Sequence, residues 1–365
     1  MARTTPLAIA LARRVLARST HGVAATLLAA ALFGCAPLAR AAPSGTLLVL
    51  NKSDDTLSLI DLGSNETLAT LATGAGPHEV AVAPDGRTAV VCNYGALQPG
   101  NSLTVVDLPA RQPRRTIDLG RHTRPHGIVW LDAERVAVTS EGSGSLLVVD
   151  VGSGEIVGAT PTGQKTSHMV VASPRHQRAY VANIGSGSMT VVDLQAHRVL
   201  ANIATGAGAE GIAISPDESE VWVTNRGADT VSVIDAGSLE VRATVRSSAF
   251  PIRAKFTPDG RYVLISNARS GDVAVFDATS RQEVRRIPMQ AGTSGRRPED
   301  RLGGQLGSGP APVGILVVPQ NDRAYVANTN ADVVSVIDLQ TWQVVDRLSA
   351  GKEPDGLGYS ALTLH

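Results

Sequence analysis

Seven copies of one pattern run down the chain: a β-prone run ending in Asn or Ser, a polar turn, then a second β-prone run ending in Asp. "LLVLNKSDDTLSLID", "AYVANIGSGSMTVVD" and "VWVTNRGADTVSVID" are three of them. The closing aspartates are Asp61, Asp107, Asp150, Asp193, Asp235, Asp277 and Asp338, spaced 46, 43, 43, 42, 42 and 61 residues apart. A period of roughly 40–45 residues accommodates four short strands with their turns, which is one propeller blade. The runs are rich in Val, Ile, Leu and Thr and are broken by Gly, Pro, Asn and Asp, a pattern that favours strands over helices. The expected fold is therefore all-β, a seven-bladed β-propeller built from residues 42–365.

The ends of the repeat predict how the ring closes. The first copy starts at "TLLVLN" without a preceding inner strand, whereas the chain finishes on "EPDGLGYSALTL", an inner strand with nothing after it. The C-terminal strand is expected to join the N-terminal blade, which removes a free sheet edge. Two segments depart from the period, and both map to the face where inner strands begin, here called the top. "YGALQPGN" (94–101) lengthens a turn, and 289–312 lengthens a connection between blades. The second is rich in Gly and charge, and is expected to be a flexible, unpacked loop beside the mouth of the channel.

Ahead of the repeats, residues 1–41 read as an export signal. They hold five arginines and no acids, an apolar run "VAATLLAAALF" too short to span a bilayer, and "ARA" at Ala39–Ala41 as a cleavage site. A competing reading makes "LFGC" a lipoprotein box acylated at Cys35, and Arg13-Arg14 resembles a twin-arginine signal. The protein is accordingly expected in the periplasm or secreted, with no transmembrane segment in the mature chain. Lys+Arg and Asp+Glu both total 33 in the full chain, so loss of the leader leaves a net charge of about −5. That balance argues against sequence-independent nucleic-acid binding, which needs clustered cations. Cys92 is left alone in an apolar run, a core residue rather than a disulfide partner or nucleophile. A monomer held by packing is expected.

Repeat register allows chemistry to be aligned by position. The residue six before the proline of each "P-D-G" turn, or its equivalent, is His78, His126, His168, Glu210, Ile252, Val313 and Asp355. Each should begin an inner strand at the top of the central channel. Because the last blade neighbours the first, Asp355, His78, His126, His168 and Glu210 form a continuous polar arc, closed on the apolar side by Ile252 and Val313. Three imidazoles flanked by two carboxylates are ligand types for one divalent transition metal, with His78, His126 and His168 as ligands and Glu210 or Asp355 assisting. They are equally the lining of a pocket for a small polar or anionic ligand. If the site is catalytic, Glu210 and Asp355 are its proton carriers.

A second set of positions follows the asparagines that end the second strands. Those asparagines are expected to cap turns in left-handed geometry. Lys52, Tyr94, Glu141, Arg226 and Arg253 break the repeat and are the expected ligand-facing shell, with Arg226 and Arg253 poised to clamp a carboxylate or phosphate. His122, off the aligned ring, is expected on a surface loop.

The motifs "AYVAN", "VWVTN", "VSVID" and "SPD/TPDG" resemble those of the YVTN-repeat β-propellers, the YncE-like proteins, over nearly the whole mature chain. The resemblance implies the fold and leaves the chemistry open. Seven-bladed propellers include lactonases and lyases, so hydrolysis or elimination is one expectation by analogy of fold. A non-catalytic scaffold that offers its rim loops to another envelope protein is the alternative. A tetrapyrrole-binding propeller related to haem-d1 domains is a third.

Overall fold

A computed structural model describes residues 43–364 except Arg296 and Leu302. The proposed export signal and the Cys35 lipoprotein box lie outside the described residues. The strands form seven four-stranded antiparallel sheets, each a meander from an inner strand outward. The inner strands are Pro77–Val82, Pro125–Trp130, Ser167–Ser173, Ala209–Ile214, Pro251–Phe256, Pro312–Val317 and Pro354–Ser360. The last of these pairs with Thr46–Asn51, with Leu48 opposite Gly358, so the C-terminal strand completes the first blade as expected. Blades are numbered from this one, in chain order.

Burial explains the composition of each strand type. Second strands such as Thr46–Asn51 are buried at every position because neighbouring blades cover both faces, and such strands read as continuous apolar runs. Outermost strands such as Glu283–Pro288 are mostly exposed and carry charge. The apolar clusters lie between successive blades, as where Leu48, Leu50 and Leu59 of blade 1 meet Val80, Val91 and Val106 of blade 2. Cys92 is a free, fully buried thiol within the next such cluster. Among the described residues no helix is long and apolar enough to cross a membrane.

Two recurrent polar residues show why the repeat keeps them. The closing aspartates turn the chain: Asp61 Oδ1 accepts from the backbone N–H groups of Gly63 and Ser64 at 2.6 and 2.8 Å, and Asp193 and Asp235 do the same two and three residues on. The asparagines differ from expectation. None of Asn51, Asn93, Asn183, Asn225, Asn267 and Asn328 is left-handed. Each instead lies at or near the end of a buried strand and fastens it sideways, as Asn93 does by donating to Ser102 and Thr104 on the third strand while accepting from Gly74 N–H on the approach to its own blade.

Candidate functional site

Each blade delivers its side chains to the channel by the same backbone device. The residue before every inner strand is left-handed, with φ from 52° to 72°: Gly76, Arg124, Thr166, Gly208, Phe250, Ala311 and Glu353. Five of these are not glycine, and such backbone persists only where the surroundings enforce it. Here the enforcing contact is a hydrogen bond. Its carbonyl accepts from the N–H of the residue after the second-strand asparagine or serine, as in Tyr94 to Gly76, Glu141 to Arg124 and Lys52 to Glu353, each 3.1 Å. Every inner strand then starts with an irregular register against its neighbour, and such bulges re-aim a side chain.

The re-aimed residue is the second of each inner strand, which is where His78, His126, His168, Glu210, Ile252, Val313 and Asp355 all lie. All seven are buried, His126 completely. The residues held by the backbone bond make a second ring outside the first: Lys52, Tyr94, Glu141, Ile184, Arg226, Ala268 and Thr329. The two rings thus hold nine of the ten residues picked out in the sequence, and the tenth, Arg253, follows Ile252 on its inner strand.

The polar arc is a connected network. Lys52 Nζ lies 2.6 Å from His78 Nε2 and 3.4 Å from Asp355 Oδ2, and Asp355 Oδ2 faces His78 Nδ1 at 3.1 Å. His78 Nε2 and His126 Nε2 are 3.1 Å apart, and the three imidazoles fan past one another with neighbouring centroids 3.9 and 3.5 Å apart. His168 Nδ1 contacts Glu141 Oε1 at 2.5 Å, and the Tyr94 hydroxyl donates to Glu141 Oε2 at 2.6 Å. Glu210 closes the arc, 3.5 Å from His168 Nε2 and 2.5 Å from Arg226 Nη1.

Burial sets the protonation pattern, and charge partners modify it. Burial, with Lys52 and Arg253 adding to it, holds His78 well below the ordinary imidazole range, and burial beside two other imidazoles does the same for His126. Burial opposes charge on His168 too, but Glu141 and Glu210 outweigh it and raise that pKa. Burial lowers Lys52 in spite of Asp355. The two proposed proton carriers separate: burial lifts Asp355 to about 6, while Glu210 is held below the usual range because His168, Arg226 and Arg253 overcome its burial. Burial thus favours the protonated form of Asp355, whereas the cations around Glu210 favour its carboxylate.

Three expectations require correction. Arg226 and Arg253 do not form an empty clamp for an anion, because both are turned onto Glu210, at 2.5 and 3.4 Å. Residues 289–312 are not an unpacked loop. They carry a short 3-10 turn, Gly303–Leu306, and strap across the mouth. Arg297 grips Asp332 with two nitrogens, Arg301 grips Asp55, and Glu299 meets Lys352 at 2.9 Å. Leu306 packs on Ile252, Val313 and Phe250. The apolar side of the ring is thereby explained: it seats the strap. His122 also differs from expectation, being buried with Nδ1 2.8 Å from Ser143 Oγ.

Beneath the histidines lies a pair missed in the sequence. Arg253 of blade 6 reaches Glu79 of blade 2 on the other side of the channel, 2.7 Å from Nη2 to Oε1. A signal for it was present. The position after each ring residue is glycine in four repeats (Gly127, Gly211, Gly314, Gly356), where a Cβ would strike the neighbouring inner strand. The departures are Glu79, Met169 and Arg253. Above this pair is a cavity of about 740 Å3, lined among others by Lys52, His78, Tyr94, Glu141, His168 and Arg124, with strap residues Arg301 and Leu306 overhead. Candidate ligand atoms of His78, Glu79 and His126 lie within 4.8 Å of one another, as do those of His126, Glu141 and His168.

The blades and their two convergent rings define the class, a seven-bladed β-propeller with a covered pocket at its top centre. Within that class the chain is similar to the YncE-like β-propellers, whose family model matches residues 10–120, and to the cytochrome D1 heme domain, whose model matches residues 133–296. No curated protein matches the chain. Similar solved structures include hydrazine synthase from Kuenenia stuttgartiensis, with 21% identity and a TM-score of 0.64 over 80% of this chain and 92% of that one. A functionally unknown protein from Desulfotomaculum acetoxidans DSM 771 has 12% identity and a TM-score of 0.71 over 87% and 99%. Dihydro-heme d1 dehydrogenase NirN in complex with DHE has 18% identity and a TM-score of 0.61 over 86% and 65%. At these identities the likeness is one of fold.

Proposed function

We propose that this chain is an exported binding propeller that takes a small anionic molecule into its top-centre pocket. The observation that carries the reading is convergence: two register-equivalent rings and an inserted strap all turn side chains into one cavity of about 740 Å3, a size suited to a small ligand. Most charges there are already paired, so the polarity of the ligand follows from the one that is not. Arg124 stacks on Tyr94, 4.8 Å from the ring centroid, and has no carboxylate partner among the described residues. A carboxylate of the ligand is the natural partner for that guanidinium at the lip.

Thermal shift with oxalate, malonate, succinate and citrate tests the reading. A ligand at a hundred times its Kd stabilises the fold by about 2.7 kcal/mol. The expected result is a concentration-dependent rise in Tm with at least one of these acids, abolished by Arg124→Ala. The reading fails if no acid raises Tm, or if Arg124→Ala keeps the whole shift.

A tetrapyrrole is the second reading, favoured by the match to the cytochrome D1 heme domain and by the DHE-bound neighbour. The residues suit it in part. The cavity has the volume, Arg124 lines it as a partner for a peripheral carboxylate, and Tyr94 adds an aromatic face. The imidazoles are less suited, because His126 is wholly buried, His168 is held by two carboxylates and His78 Nε2 is covered by Lys52. His78 would hold the group, and the group would supply redox chemistry. Titration with haemin separates the readings: a shifted Soret band lost in His78→Gln favours the tetrapyrrole, and an unchanged spectrum favours the small acid.

A further inference from the structure

Several contacts in the polar arc have the form of a metal site. The carboxylates stand behind the outer imidazoles: Asp355 Oδ2 is 3.1 Å from His78 Nδ1, and Glu141 Oε1 is 2.5 Å from His168 Nδ1. At His168 the carboxylate draws the ring proton to Nδ1 and leaves Nε2 with its lone pair, the arrangement found behind metal-binding histidines, whereas the Asp355 contact with His78 is one of charge, His78 Nδ1 making no hydrogen bond. The Nε2 atoms of His78 and His126 are 3.1 Å apart. Two nitrogens bound to one ion at ~2.0–2.1 Å, at angles between square and tetrahedral, lie roughly 2.9–3.4 Å apart.

Two further observations point to an ion rather than to a closed hydrogen-bond network. His168 Nε2, one of the nitrogens that would bind the ion, is buried without a hydrogen-bond partner, although buried polar atoms are ordinarily satisfied. Moreover, a positive charge already occupies the spot. The Lys52 ammonium sits 2.6 Å from His78 Nε2, within 3.4 Å of Asp355.

We propose that His78, His126 and His168 bind one divalent first-row transition ion through Nε2, with the Lys52 ammonium withdrawing as the ion arrives. His78 and His126 already have the required spacing. His168 joins by turning Nε2 away from Glu210, now 3.5 Å distant. His78 and His168 both line the cavity, so the ion keeps a coordination position open to it. Imidazole donors select ions such as Zn2+, Cu2+ and Ni2+ over Mg2+ or Ca2+. This inference deepens the small-acid reading, because a ligand carboxylate would bridge the ion and Arg124.

The test uses the full mature chain stripped with chelator, then titrated with Zn2+ alone by calorimetry and with Co2+ alone by visible absorption. One equivalent of each is expected, with a Co2+ ligand-field spectrum. His126→Gln should weaken Zn2+ binding at least a hundredfold while circular dichroism shows the apo-protein still folded. If His126→Gln does not fold, His78→Gln and His168→Gln provide the same readout. Lys52→Met should tighten Zn2+ binding about tenfold, an effect that a merely structural lysine would not produce. The proposal is overturned if the wild type binds less than a tenth of an equivalent of both ions, or if the histidine variants bind as the wild type does. Thermal shift with the four acids on the stripped protein keeps the pocket reading separate: acids that still bind when no metal does refute the ion and leave the pocket.

Discussion

Replacing Arg253 by Met, Glu79 by Leu, and both together measures the bond across the channel. Arg253 and Glu79 side chains are 7% and 13% exposed, and the guanidinium contacts Glu79 at 2.7 and 3.2 Å, Glu210 at 3.4 Å and the Ile252 carbonyl at 3.2 Å. Burial opposes the charge on Arg253, but Glu79 and Glu210 raise its pKa further from neutrality. Arg253→Met strands Glu79 in a nearly dry channel, and leaving one member of a buried pair costs about 3–5 kcal/mol. The lower end applies, because Glu210 keeps Arg226 and His168 and Glu79 retains some contact with solvent. Glu79→Leu should cost less, about 2 kcal/mol, since Arg253 still has Glu210. The double variant removes both charges and should cost no more than about 1 kcal/mol relative to the wild type, giving a coupling of roughly 4–5 kcal/mol.

Guanidinium denaturation of the four proteins reads these energies directly. In a thermal scan, about 2.1 cal/mol/K of unfolding entropy per residue over the unit from Ala42 to His365 amounts to roughly 0.7 kcal/mol/K. A loss of about 3 kcal/mol therefore lowers Tm by about 4–5 °C. Arg253→Met costing less than about 1 kcal/mol, or a coupling below about 0.5 kcal/mol, would refute the reasoning.

Two other expectations follow from the channel wall and the strap. Gly314→Ala places a Cβ 2.0 Å from the Asp355 carbonyl oxygen, so it should cost more than about 3 kcal/mol in a urea melt, whereas Gly309→Ala, with nothing within 4 Å, should stay within about 0.5 kcal/mol. Arg301 and the Gly76 N–H overcome burial to lower the Asp55 pKa, and Arg297 does the same for Asp332. Carboxylates with depressed folded-state values support the strap above their unfolded pKa of about 3.9 and lose it as pH falls through the folded values. Pepsin nicking within 289–312 should accordingly rise below about pH 4 relative to an unstructured control peptide, and a constant ratio would dismiss the latch.

What could be read in advance follows from what a repeat conserves. The ring of His78, His126, His168, Glu210, Ile252, Val313 and Asp355 was legible because each blade repeats one backbone path, so equal register means equal direction. Register compares equivalent positions but does not say which departures face each other. Glu79 and Arg253 are 174 residues apart and meet only because the sheets close into a ring. The same blindness produced the empty arginine clamp: two cations were visible in sequence, while the buried carboxylate that neutralises both, Glu210, shares a blade with Arg226 but is in the blade next to that of Arg253. The strap was harder still, since an insertion has no register, and Arg297, Glu299 and Arg301 look the same in a solvated loop as in three ion pairs. Specificity at a propeller centre therefore resides in the sum of departures around the axis. Here that sum leaves Arg124 without an acid among the described residues and His168 Nε2 without a hydrogen-bond partner, and both residues line the same cavity.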